Sequence, residues 1–149
     1  MKLNIWLTSA VSCLFLASRP AVAALGEDVS SVQVDQTQLQ AELQITSAAR
    51  FAVHRLRLRS GTAIQEYVSS AGMVFAVSWR GPSMPDLQQL LGRYFEPYVE
   101  ALKQQNAGGS RAVQQTGLVV QTGGHMRAYF GRVYVPAMLP RGVSDAEIQ

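Results

Sequence analysis

The 149-residue chain has one cysteine, two histidines and two lysines. Each scarcity closes a class of chemistry. A lone cysteine, Cys13, excludes an internal disulfide and any metal site built from several thiolates. The histidines, His54 and His125, stand in no His-x-x-x-His or His-Glu-x-x-His spacing, so neither common zinc motif is present. There is no Gly-x-Ser-x-Gly nucleophile elbow, and Gly108-Gly109-Ser110 lacks the lysine of a phosphate-binding loop. No metal and no cofactor is expected from these residues, and no motif assigns an enzymatic activity.

The N-terminus has the composition of a cleavable signal. Met1-Lys2 is followed by an uncharged apolar run from Leu3 to Ala17, and Ala21-Val22-Ala23 supplies small residues for a cut before Ala24. The run has fifteen residues, whereas a spanning helix needs about twenty. Lipidation at Cys13 is the competing reading, but Leu14-Phe15-Leu16 continues the apolar run past it. The expectation is a signal peptide over 1–23 and one exported domain over 24–149. No transmembrane segment remains after cleavage. The periplasm is the expected location, with release from the cell as the alternative.

Removing 1–23 leaves eleven cations against ten carboxylates, and ten of those cations are arginine. The high isoelectric point of the whole chain is therefore weak evidence for an anionic partner. A chain of 126 residues buries enough surface to fold without staples.

Hydropathy patterning predicts an α+β domain, with an antiparallel β-meander and a C-terminal β-hairpin packed on one amphipathic helix. Leu25 to Asp35 reads as irregular or as one helical turn. Leu39, Ala41, Leu43 and Ile45 alternate with polar residues, which predicts a first strand from Gln38. Phe51 to Arg59 alternates again, with Ala52, His54, Leu56 and Leu58 on one face and Arg55, Arg57 and Arg59 on the other. A two-residue Ser60-Gly61 loop pairs Arg55 with Glu66 and His54 with Tyr67. Strands at Thr62–Ser69 and Met73–Trp79 follow. A helix from Ser83, capped by Ser83 and Asp86, carries Leu87, Leu90, Leu91, Tyr94, Phe95, Tyr98, Val99 and Leu102 on one stripe. Pro97 predicts a kink or a split near Glu96. Gln104 to Ser110 reads as a loop. Gly123-Gly124 predicts the turn of the final hairpin, with His125, Arg127 and Tyr129 on the face of Leu118 and Val120, and Phe130 on the face of Val119. Arg141 to Gln149 reads as a loosely docked tail.

Several stretches are familiar as a set: Glu66 to Val77, Trp79 to Pro82, Leu90 to Phe95, and Gly123 to Ala128 through Gly131-Arg132. They resemble a family of small secreted proteobacterial proteins known only as a domain of unknown function. The likeness runs from about Leu25 to Ile148 and implies export and a single domain. It implies no activity, no cofactor and no site.

Candidate binding residues come from the residues themselves. His125 and Arg127 can bind an anion or polarise a carbonyl. His54, on an apolar face without ligand partners, reads as a core histidine. Arg55, Arg57 and Arg59 form a stripe that can meet phosphates or polyanions. Nucleic acid is disfavoured, since no aromatic residue interleaves with that stripe. Trp79, before Gly81-Pro82, reads as packed beneath the turn from sheet to helix, with an anchor for a docking partner as the alternative that makes it a candidate binding residue. Glu66 and Asp86 are explained as a cross-strand partner of Arg55 and a helix cap. The expectation is a non-catalytic envelope protein that binds a protein or a lipid-like ligand. The alternative is a small periplasmic hydrolase, or other enzyme, using His125 and Arg127.

Overall fold

Alternating burial along successive strands builds the molecule. The computed structural model describes residues 25–103, 111–115 and 117–149, so the signal segment, Cys13 and the Gln104–Ser110 loop lie outside the described residues. The elements are α1 (Ser30–Gln38), β1 (Glu42–Ser47), β2 (Phe51–Arg57), β3 (Ala63–Ser69), β4 (Val74–Gly81), α2 (Leu87–Leu91), α3 (Phe95–Lys103), β5 (Arg111–Gln115), β6 (Leu118–His125) and β7 (Ala128–Tyr134). The strands form one sheet in the order β1-β2-β3-β4-β7-β6-β5, and every neighbouring pair is antiparallel. The architecture is the α+β class that the patterning predicts.

Both faces of the sheet are covered, unequally. On one face the helices bury Leu56, Ile64, Val77, Trp79, Val120 and Val133 beneath Val32, Leu90, Leu91 and Tyr98. On the other, Phe51, Tyr67, Phe75 and Tyr134 meet Ile148, Leu139 and Val143 of the C-terminal segment. A register shift beside Tyr67 leaves Phe75 as an extra residue in β4. Both Phe75 and Ala76 thereby join the second cluster. Covering on both sides explains why β4 is buried from Val74 through Trp79 without alternation.

The structure corrects several expectations. The segment before β1 is not a strand start: Ser30–Gln38 is a helix, held by buried Ser31, Val32 and Asp35. Its composition is poor for helix, and tertiary packing overrides that preference. The β2–β3 loop closes with Leu58 N–H donating to the Thr62 carbonyl at 2.9 Å, which leaves three loop residues rather than two. The partners become Arg55 with Gln65 and His54 with Glu66. One residue of register moves Glu66 to the buried face.

The amphipathic stripe is split, as Pro97 allowed, but the break falls just before Glu96, at Gly92–Tyr94. Gly92–Tyr94 forms a 3-10 turn, and Pro97 falls in the first turn of α3, where its missing N–H costs little. Asp86 alone caps α2, accepting from Gln89 N–H at 3.0 Å. The Ser83 hydroxyl instead meets the Thr62 hydroxyl at 2.9 Å.

In the last hairpin the turn lies at Met126-Arg127, and Gly123 and Gly124 lie inside β6. A Cβ on Gly124 would come within 2.2 Å of the Ala128 carbonyl oxygen, so the strand crossing itself requires glycine there. By strand alternation, His125 therefore shares the face of Val119 and Phe130. The strand β5 was not expected.

The tail is docked firmly. Ile148 is 1% exposed, and the Gln149 main-chain oxygen accepts from Gln65 Nε2, Tyr67 Oη and Ser78 Oγ at 2.7–2.9 Å. Arg132 donates to the Ile148 carbonyl at 2.8 Å and also to that of Asp145.

Candidate functional site

Beyond the tail, the second face of the sheet is open, and its residues follow from strand register. One row across it runs Arg55, Gln65, Ser78, Arg132 and Gln121. The next runs Arg57, Ala63, Arg80 and Phe130. Neighbouring strands lie about 4.8 Å apart, so Arg55 and Arg132 stem from backbones about 14 Å apart and Arg57 and Arg80 about 10 Å. The two rows line a trough of about 690 Å³. A second hollow of about 420 Å³ adjoins it, sharing Arg80 and Phe130, and is bounded by His125, Arg127 and Pro82.

The trough is cationic. Neither hollow has an aspartate or glutamate among its lining residues. Among the described residues, Arg55, Arg57 and Arg80 have no carboxylate within ion-pair distance, and Arg132 has Asp145 at 3.5 Å. The guanidinium groups have separate supports. Arg55 donates to Gln65 Oε1 at 3.4 Å, Arg132 to Gln121 Oε1 at 2.5 Å, and Arg80 lies 5.8 Å from the centre of the Phe130 ring. Phe130 is itself 37% exposed. The forks of Arg55, Arg57 and Arg80 can pair anionic groups along a line, whereas that of Arg132 is taken up by Gln121, Ile148 and Asp145 of this chain.

The candidate residues divide accordingly. Arg55 and Arg57 enter the trough, while Arg59 is exposed on the β2–β3 loop outside both hollows. His125 and Arg127 border one hollow, both exposed. Arg127 has φ of +65°, the left-handed region where glycine or asparagine is the favoured residue. Trp79 is 2% exposed, which agrees with its packed reading and corrects the alternative of an exposed docking anchor. Its ring packs against Gly131, where a Cβ would come within 2.3 Å of it. Arg80 and Phe130 had no signal of their own in the sequence. Their alternation with buried neighbours on β4 and β7 could have found them only once the register was known.

A second polar cluster is hidden on the helix-covered face. Asp35 of α1 and Glu66 of β3 are 0% and 2% exposed and face each other. Gln89 of α2 donates to Asp35 Oδ1. Burial pushes the Asp35 carboxyl up to about 6, and burial with the facing Asp35 charge pushes Glu66 well above the usual carboxylate range. Asp35 Oδ2 and Glu66 Oε2 are buried without a hydrogen-bond partner, and one proton shared between them would satisfy both. His54, across from Glu66, is held below its usual value by desolvation. Among the described residues no group of three or more His, Cys, Asp or Glu is placed to hold a metal ion.

Fold and surface together define an α+β domain with a helix-covered sheet face and a half-covered, arginine-lined one. The chain belongs to the family described as protein of unknown function (DUF2844), whose model matches residues 21–148. No curated protein and no solved structure matches the chain.

Proposed function

We propose that the protein is an exported, non-catalytic binding protein that holds an anionic partner in the arginine-lined trough. The observation that carries this is the concentration of arginines around one depression of about 690 Å³, three of them without an ion-pair partner among the described residues, with no aspartate or glutamate in its lining. A self-contained structural protein has little use for such a field, because unpaired like charges repel. Export rests on the composition of residues 1–23, and no helix among the described residues is long and apolar enough to cross a membrane. An enzymatic reading of His125 and Arg127 has less support. Their hollow offers the histidine neither a carboxylate to orient it nor a serine or cysteine to activate.

Dextran sulfate, with neutral dextran as control, tests the reading. The protein should bind the polyanion in a salt-sensitive manner, and the double substitution Arg57→Gln/Arg80→Gln should abolish most of that binding. Equal retention by wild type and variant would refute the site. The mass of the protein recovered from its host should correspond to a chain starting at Ala24; a cytoplasmic full-length chain would refute export.

A further inference from the structure

We infer that the ligand of this trough is a linear acidic glycan, a chain of sugars bearing carboxylates laid across the strands; the inference rests on the binding reading above. Shape is the first argument. The two hollows share Arg80 and Phe130, so the depression continues from Arg55 and Arg57 on one side to His125 and Arg127 on the other. An extended ligand uses that length, and a compact anion does not.

The second argument is how the charges are held. Arg55 on β2 and Arg80 on β4 are held apart by Gln65 and Phe130, and Arg132 is spent on the tail and Gln121. Guanidinium groups anchored apart do not converge on one phosphate. They match anionic groups repeated along a polymer, and the planar fork pairs with a carboxylate through two parallel hydrogen bonds.

The third argument is the floor. Phe130 presents an aromatic ring beside the cations, a surface on which the C–H face of a sugar ring packs. A lipid would need more. Among the described residues the large exposed apolar side chains are Ile45, Met84, Met126 and Phe130, and of these Phe130 alone lies in the trough. An acyl chain seated there would stay largely in water and lose about 0.8 kcal/mol for each methylene left unburied.

The test titrates the protein with galacturonate oligomers of two and eight sugars, the same octamer fully methyl-esterified, and phosphatidylglycerol vesicles. The glycan inference expects the octamer to bind at least about tenfold tighter than the dimer, and esterification to abolish binding. Arg80→Gln should weaken the octamer about tenfold, whereas Arg59→Gln, of equal charge but outside the trough, should leave it unchanged. Circular dichroism of both variants establishes that they are folded. Equal affinity for dimer and octamer, or preference for vesicles, would overturn the glycan while leaving an anion-binding surface; binding of the uncharged ester would overturn both. Failure of every probe to bind would overturn both.

Discussion

Replacing Asp35 with Asn should make the protein more stable, and only at high pH. The buried carboxyl has its pKa raised from 3.8 to about 6, and one unit corresponds to about 1.4 kcal/mol. Ionised Asp35 therefore costs the fold about 3 kcal/mol. The sign follows from proton counts. Below pH 3.8 the carboxyl is protonated in both folded and unfolded chains, and nothing is lost. Between 3.8 and about 6 the folded chain holds the extra proton, so stability falls as pH rises. Glu66 is raised in the same direction and extends the fall further up. His54 is shifted the opposite way and loses stability on acidification, but it is common to both proteins and cancels in their difference. An Asn at position 35 accepts from Gln89 through Oδ1 and donates from Nδ2 to Glu66, so the geometry is kept without the charge. Urea denaturation should give Asp35→Asn and wild type equal stabilities within about 1 kcal/mol at pH 4, and a gain of about 3 kcal/mol for the variant at pH 8. The melting temperature at pH 8 should rise by roughly 10 °C. A difference independent of pH, or a variant weaker at pH 8, would refute the shared-proton arrangement.

Other substitutions probe the remaining parts. Trp79→Ala removes a buried ring and should cost about 3–5 kcal/mol in unfolding free energy, with soluble binding of anions retained in the folded fraction. Arg132→Ala should release the tail, read as faster amide exchange at Ile148 and Gln149 while the helix-face core stays protected. Arg127→Gly should relieve a left-handed residue and stabilise the hairpin by about 0.5–1 kcal/mol, while weakening polyanion binding.

The sequence made the alternation of β2 legible because one face is apolar and the other is arginine, and burial of His54 and Leu56 between exposed Arg55 and Arg57 agrees with it. It did not disclose the loop length. Ser60-Gly61 fits a two-residue turn as well as it fits the end of a three-residue one, and the choice decides which face Glu66 joins. The surface ion pair with Arg55 thereby became a buried acid pair with Asp35. The Gly123-Gly124 turn failed for a related reason: glycine serves a close strand crossing as well as a turn, and local composition does not separate them. The tail looked loose because its apolar residues, Val143 and Ile148, are sparse; each fills a place on a distant strand. The arginines of the trough were half legible. Arg55 and Arg57 stand on one strand with a visible period, whereas Arg80, Phe130 and Arg132 join them only through pairing of β4 with β7.

Amide and arginine side-chain resonances, followed by nuclear magnetic resonance during titration with the galacturonate octamer, test the central claim most directly. The account predicts saturable shifts concentrated at Arg55, Arg57, Arg80 and Phe130, with the helix-covered face unmoved. Shifts concentrated on the helices, or none at saturating ligand, would contradict it.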